Sequence, residues 1–466
     1  MLRSILFCFC LYLLCSSCQA QETTSCPFLK LKKGSEDLCG YLEVPLDYKN
    51  PGGEQITIPY WVIKSKHPES QADPIVFIQG GPGGKVLALA QNFRQLAFDV
   101  KRDFILFDQR GIGSDDPFCP DFTDNFLSIF AQDLSAAEET QAIREALLLC
   151  GGDNAAYYTT EANVADLEAL RKHLGIQEWN LFGGSYGTRL GLAYMQKFPG
   201  RVRSAILNGL FPEEVELFKS YLPNFDRSLN QVFDLCASDP DCRGTYPDLK
   251  AETFSVIDEL RQRPLALVLN QEELILNAQD FLLILQQMLY HKTTAVLIPS
   301  FVTAVKHKRT VEVSTVIGAI SQGLQGINMA VFYAVMAAEE GQVDQDALLK
   351  DHLKTYPQYA PGISLFLSGA DPFDRYPQSD FSPEKFNNKT NIPMLLVSGA
   401  LDPITPPSNV RYLKSESPYQ YYLEIPLEGH TPLNACFFGV AQNFLDRPKE
   451  RPNMDCRLGR VPLQWP

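Results

Sequence analysis

Trp179-Asn180-Leu181-Phe182-Gly183-Gly184-Ser185-Tyr186-Gly187-Thr188 decides the reading of this chain. Trp179–Phe182 is a strand candidate. Thr188 to Phe198 carries a helical pattern, closed by Pro199-Gly200. Between the two stands G-x-S-x-G, over Gly183–Gly187. A sharp strand-to-helix turn forces its central residue into strained backbone, and side chains two residues to either side would collide; glycines remove the collision. The helix N-terminus behind Ser185 favours negative charge nearby. Strand, turn and helix together make Ser185 the predicted nucleophile.

Outward from the motif, short apolar β-rich runs alternate with amphipathic stretches. The strand candidates are Tyr41–Leu46, Ile56–Ile63, Ile75–Gln79, Phe104–Asp108, Asn180–Phe182 and Ala205–Asn208. Several are nearly continuous apolar runs, as expected of strands covered on both faces. Thr160 and Asn163 are cap candidates for a helix ended by Gly175. From about 212 to 390 apolar residues recur at helical spacing, around Phe281–Leu289 and Ile327–Ala338, and strand-like runs are few. After Asn391 the strand pattern returns, with Met394–Ser398 and Tyr421–Ile425. The expectation is an α/β-hydrolase fold: a mostly parallel sheet with helices on both faces and an inserted, mainly helical cap. Its parts are a body over 21–211 and 391–466 and a cap over 212–390. Two sequential domains are the competing arrangement.

A strand at Pro74–Gln79 runs into Gly80-Gly81-Pro82-Gly83-Gly84. Such a turn aims backbone N–H groups into a site. No Lys-Ser/Thr follows in phosphate-loop spacing, so an oxyanion hole is the better reading, with the N–H groups of Gly81 and Tyr186 as donors. Acyl transfer also needs a base that returns its proton to the leaving group. Of the six histidines, His67 lies in a polar loop, His173 on an amphipathic helix, and His291, His307 and His352 in the helical segment. His430 alone follows a strand candidate, in Glu428-Gly429-His430-Thr431-Pro432. Asp402 follows Met394–Ser398, where a carboxylate accepts from a histidine Nδ1–H; Asp371 and Asp374 compete for that role. The order Ser185, Asp402, His430 suits the fold.

The bulk numbers set the boundaries. The chain has 466 residues, 45% hydrophobic and 21% charged, which suits globular structure of more than one unit. A formal net charge of −14 makes nucleic acid an unfavourable partner. Met1-Leu2-Arg3, the apolar run from Ile5 to Leu14 and the small residues before Ala20 have the layout of a secretory signal peptide over 1–20. The run is shorter than the roughly 20 residues of a membrane span. Cleavage after Ala20 gives a secreted or periplasmic protein; cleavage before Cys18 would leave a lipid anchor on that thiol. Beyond the leader lie eight cysteines, Cys26, Cys39, Cys119, Cys150, Cys236, Cys242, Cys436 and Cys456. Pairing of sequence neighbours predicts the bridges 26–39, 119–150, 236–242 and 436–456. No cysteine–histidine cluster has metal-ligand spacing, and no cofactor is expected.

Over most of its length the chain resembles the tripeptidyl aminopeptidase and prolyl iminopeptidase branch of the α/β-hydrolases. The resemblance rests on Cys39-Gly40-Tyr41-Leu42-Glu43-Val44-Pro45-Leu46-Asp47-Tyr48, Gly80–Gly84, Phe107-Asp108-Gln109-Arg110-Gly111-Ile112-Gly113-Ser114 and Gly184–Thr188. It extends to Ser398–Asp402, His430 and the pair Cys436 and Cys456. Two positions depart from it: Gln79 stands where many relatives have His before the double glycine, and Ala337 where a cap motif has Cys. The resemblance implies an exported aminopeptidase that releases proline or short peptides from small peptide substrates, with Glu339 as the anchor for the substrate's amine. Glu213 and Glu214 are weaker candidates for that anchor. The alternative is a carboxylesterase or lipase with the same triad. Asp108 and Arg110 read as supports that pin neighbouring loops.

Overall fold

Apolar residues alternate along the central strands, and the alternation sends them into two separate cores. Val76 and Ile78 face one, Ile75 and Phe77 the other; Ile105 and Phe107 oppose Phe104 and Leu106 in the same way. This period of two, with both faces covered, is what a sheet sandwiched between helices requires. The computed structural model describes residues 26, 28, 35–67, 69, 71–87, 101–113, 117–150, 152–269, 271–340, 344–360, 390–413, 417–456 and 463–466. The expected leader with Cys18, Ser114 and the competing acids Asp371 and Asp374 lie outside the described residues.

Eight strands form the main sheet: β1 (Leu38–Pro45), β2 (Gln55–Ile63), β3 (Gln71–Ile78), β4 (Arg102–Phe107), β5 (Trp179–Gly184), β6 (Val202–Asn208), β9 (Met394–Gly399) and β10 (Gln420–Ile425). Their order is β1-β2-β4-β3-β5-β6-β9-β10. β2 runs antiparallel to both its neighbours, and β4, β3, β5, β6, β9 and β10 are all mutually parallel. The C-terminal ends of these six strands therefore share one edge, where open parallel sheets bind ligands. The helices Thr160–His173 and Tyr186–Lys197 cover one face of the sheet and the helix Ala435–Asp446 the other.

Between β6 and β9 the chain makes a long excursion, yet those two strands are adjacent in the sheet. Most of the excursion is helical, and Leu222–Ile317 with Tyr359 closes around a core of its own. Two features depart from the sequence reading. A hairpin, β7 (Leu265–Leu269) and β8 (Glu272–Leu276), stands among the helices. The helix Met329–Glu340 packs its apolar residues into the core of the main sheet, not into that of the other excursion helices.

The cap of the helix Thr160–His173 also differs from expectation. Thr159 is the N-cap and accepts from the Ala162 N–H. The Thr160 hydroxyl turns instead to Tyr186 Oη at 2.7 Å, and the Asn163 amide donates to the Thr159 carbonyl. Gly175 ends the segment at φ +68°, a left-handed conformation suited to glycine. The four predicted cysteine pairings are those of the structure, with Cα separations from 5.1 to 5.7 Å. No helix among the described residues is long and apolar enough to cross a membrane.

Candidate active site

Ser185 stands at the end of β5 with φ 56° and ψ −125°. The residues on either side of it, from Leu181 to Gly184 and from Tyr186 to Leu190, are buried, while Ser185 itself keeps partial exposure. Such a backbone conformation costs about 1–3 kcal/mol for a non-glycine residue. It is held by the Ser185 N–H donating to the Asn208 carbonyl at 2.9 Å, and by the Thr188 N–H and hydroxyl donating to the Ser185 carbonyl at 2.8 and 2.7 Å. The flanking glycines are sterically required. A Cβ on Gly187 would lie 2.0 Å from the Ile78 carbonyl oxygen, and one on Gly183 would lie 2.5 Å from that of Gly187.

The glycine loop after β3 lies against this turn. A Cβ on Gly80 would meet Ser185 Cβ at 2.8 Å, so only a bare backbone approaches Ser185 so closely. Gly81 has φ +114°, and the Gly84 N–H returns to the Gly80 carbonyl at 3.1 Å. Loops from elsewhere hold this turn. Asp108 accepts the Val86 and Leu87 N–H groups at 2.7 and 3.1 Å, and the Gln109 amide donates to the Gln79 carbonyl at 2.7 Å. Burial raises the Asp108 carboxyl to a pKa of about 6, against the pull of those two N–H groups. Arg110 forms a bidentate pair with Asp166, 2.8 Å on each side, and also donates to the carbonyls of Leu46 and Tyr157.

His430 and Asp402 follow β10 and β9. His430 Nδ1 donates to Asp402 Oδ2 at 2.8 Å, the ring being taken as the tautomer with its proton on Nδ1. The Asp402 side chain is fully buried. Burial pushes its carboxyl up, but His430 and the N–H groups of Ile404 and Thr405 outweigh this and hold it below the ordinary value. Asp402 Oδ1 accepts both those N–H groups, at 2.9 and 2.8 Å. The imidazole lies close to the backbone that supports Ser185. A Cβ on Gly209 would lie 3.3 Å from His430 Cε1, and Gly209 follows the residue whose carbonyl takes the Ser185 N–H.

Four supports of the histidine and its acid escaped the sequence reading. The Thr405 hydroxyl donates to Asp402 Oδ2 at 2.7 Å and lies 3.0 Å from His430 Nδ1. The Tyr290 ring meets the His430 ring edge-on at 4.9 Å, and its carbonyl accepts the His430 N–H. From the helix Leu217–Ser238, Arg227 donates to the carbonyls of Ala400 and Asp402, and Ser228 to that of Leu401. Only Thr405 had a local signal, an aspartate whose side chain closes a turn onto the residues two and three places on.

Glu339, the anchor implied by the resemblance, is engaged by neighbouring side chains. Its side chain is 1% exposed, and its two oxygens accept from Thr160 Oγ1 and, at 2.6 Å, from Arg189 Nη1. Glu340 accepts the Leu217 and Phe218 N–H groups. The acidic pair ends the helix Met329–Glu340 with both side chains nearly fully buried. It ties the helix Met329–Glu340 to the helix behind Ser185. Among the described residues no group of three His, Cys, Asp or Glu side chains could hold a metal ion.

A family model described as the alpha/beta hydrolase fold matches residues 73–261. The chain has the α/β-hydrolase fold, and its similarities fall in the proline iminopeptidase and tripeptidyl aminopeptidase branch of that superfamily. The serine protease Hip1 of Mycobacterium tuberculosis is 32% identical over 267 residues, 52% of this chain and 50% of the relative. The proline iminopeptidase of Neisseria gonorrhoeae is 33% identical over 152 residues, 33% of this chain and 36% of the relative. The tripeptidyl aminopeptidase of Streptomyces lividans is 30% identical over 187 residues, 37% of this chain and 35% of the relative. The chain thus spans half or less of the length of these relatives.

Proposed function

We propose that the chain is an exported serine peptidase of the aminopeptidase type, releasing proline or short peptides from the N-terminus of small peptides. The observation that carries this reading is the His430–Asp402 hydrogen bond at 2.8 Å, set beside a strained serine at the same edge of the sheet. His430 takes the proton of Ser185, and the hydroxyl attacks the scissile carbonyl. The N–H groups of Gly81 and Tyr186 receive the developing oxyanion; losing one such donor costs about 3–4 kcal/mol of barrier. The C–N bond then breaks as His430 protonates the departing amine, and water resolves the acyl-enzyme by the same steps. Asp402 holds the imidazole in the required tautomer and stabilises its charged form.

In this reading residues 1–20 are the leader, the described disulfides suit an oxidising compartment, and the helical part of 212–390 limits access to small substrates. The peptidase names of the relatives favour amide over ester chemistry. The test compares prolyl and alanyl-alanyl-prolyl amides with free and acetylated N-termini, and p-nitrophenyl esters, for the wild type and Ser185→Ala. Cleavage of the free peptides, lost in Ser185→Ala, is the expected result. Ester hydrolysis without any amide hydrolysis overturns the reading in favour of an esterase.

A further inference from the structure

The helix Met329–Glu340 is tied, at its two ends, to the two backbone segments that carry the oxyanion donors of the proposed mechanism. Just before its start, Ile327 makes an antiparallel bridge with Gly84 of the glycine loop. The Lys85 N–H donates to the Gly326 carbonyl and the Asn328 N–H to the Gly83 carbonyl, each at 2.8 Å. A Cβ on Gly83 would lie 2.4 Å from the Asn328 carbonyl oxygen, so the two backbones leave no room for a side chain between them. Asn328 is itself fixed. Its Oδ1 accepts the Ala330 and Val331 N–H groups, and its Nδ2 donates to the carbonyls of Gly111 and Phe118 at 3.0 and 2.9 Å.

At the other end Glu339 reaches the turn behind Ser185. The Thr160 hydroxyl donates its one proton to Glu339 Oε1, so it accepts from Tyr186, whose Oη stands 2.7 Å away. Burial and Glu339 hold the Tyr186 phenol well above its ordinary pKa, so it keeps the proton it donates. Glu339 Oε2 accepts at 2.6 Å from Arg189, which lies one turn beyond Tyr186 on the same helix. Arg189 also donates to the carbonyls of Pro212 and Val215 and lies over the Phe211 ring, 3.7 Å from its centre. The side chains of Thr160, Tyr186, Arg189 and Glu339 are all buried. One carboxylate thus grips the first turn of the helix Tyr186–Lys197 at two points, and a buried chain of hydrogen bonds holds its members in one arrangement.

We propose that Glu339 is a positioning residue of the reaction: through Thr160 and Arg189 it sets where the Tyr186 N–H points, while Asn328, at the opposite end of the same helix, sets the glycine loop that carries Gly81. The inference rests on the proposed function for the identity of the two donors. A rod of helical hydrogen bonds, about 18 Å long at helical rise, then fixes the two halves of the oxyanion hole against each other. The same rod joins them to the excursion between β6 and β9. Glu340 accepts the Leu217 and Phe218 N–H groups that open the helix Leu217–Ser238, and that helix holds the Asp402 loop through Arg227 and Ser228.

The experiment compares Thr160→Val, Thr160→Ser and Glu339→Gln with the wild type. Thr160→Val keeps the side chain's shape and the Glu339–Arg189 pair but removes the hydroxyl between Glu339 and Tyr186. The substrates are p-nitrophenyl acetate and a prolyl amide with free and acetylated N-termini. The probe of the oxyanion hole is an alkyl trifluoromethyl ketone: Ser185 Oγ adds to its carbonyl carbon, the serine proton passes to His430, and the carbonyl electron pair becomes the oxyanion. Thr160→Val should lower kcat about tenfold or more with KM within about twofold, on every substrate the wild type turns over, and weaken the ketone by a matching factor. Thr160→Ser should recover most of both. Glu339→Gln should do at least as much damage as Thr160→Val, which decides the matter alone if Glu339→Gln fails to fold. Wild-type kcat and ketone affinity in Thr160→Val, whatever its thermal midpoint, overturn the inference. A loss in Glu339→Gln confined to the KM of the free-amine amide also overturns it, since an amine anchor would act only there. Ester turnover without amide turnover overturns the peptidase reading alone, and the comparison is then read on the ester. A wild type that hydrolyses neither and does not bind the ketone overturns both.

Discussion

At Ser185 the backbone stores strain that neighbouring hydrogen bonds and three bare glycines sustain. Gly187→Ala should be among the most damaging single-methyl additions in the chain, because its new carbon would meet the Ile78 carbonyl at 2.0 Å. A fall in thermal midpoint together with loss of fluorophosphonate labelling is the expected readout; unchanged labelling would contradict the strained turn. Asp402→Asn keeps the size of the side chain and loses the charge that stabilises protonated His430. Turnover should fall by about 10⁴, as it does when the acid of such a triad is amidated, with the thermal midpoint little changed. The nucleophile, acid and base candidates were legible because each sits in a short local pattern: a glycine turn, an Asp-Pro after a strand, a histidine after the last strand. Tyr290, Arg227 and Ser228 were not, since they reach the histidine and its acid from segments distant in sequence and nothing local marks them.

Among the elements, the helix Leu217–Ser238 acts as a clamp, its Arg227 and Ser228 gripping three successive carbonyls of the loop that carries Asp402. Arg227→Ala should lower kcat by about ten- to a hundredfold through displacement of that loop, with KM little affected. A change in KM alone would show that the arginine acts on substrate and not on the acid. The helix Met329–Glu340 has a different duty. Asn328, just before its start, donates its N–H to the Gly83 carbonyl, and Glu339, near its end, accepts from Arg189. Sequence periodicity found this helix but not its partner, because an apolar helix carries no mark of which core it will enter. The hairpin β7–β8 was missed for a related reason. Its strands are five residues each and partly exposed, too short to stand apart from the helical pattern around them.

For the whole molecule, cross-links and buried acids set the response to conditions. The Cys119–Cys150 bridge closes a loop with a sequence separation of 31, and loop closure of that size stabilises by about 3–4 kcal/mol. Cys119→Ala with Cys150→Ala should therefore lower the thermal midpoint measurably under non-reducing conditions, and an unchanged midpoint would place the pair outside the cooperative unit. The second response is to pH. Burial lifts Glu139 to a pKa of about 7. Burial also raises Asp280, with Glu139 and then Asp133 as acids that add to the effect. The folded chain thus binds protons that the unfolded chain has released, and stability falls as pH rises from the ordinary carboxyl range to about 7. Glu139→Gln should flatten that fall in calorimetric midpoints taken between about pH 5 and pH 8; an identical slope would mean that Glu139 titrates normally.

The adjacency of β6 and β9 has one more consequence. Because the chain leaves and rejoins the sheet on neighbouring rungs, the ladder is indifferent to how much polypeptide is spent between them, and the entropy of closing such a loop grows only slowly with its length. Natural variation or an engineer can therefore lengthen, shorten or rewrite the intervening helices to suit a new guest molecule, provided the grips of Arg227 and Ser228 and the tie of Glu339 are carried along. Selectivity and chemical competence are in this way separable inheritances of one chain.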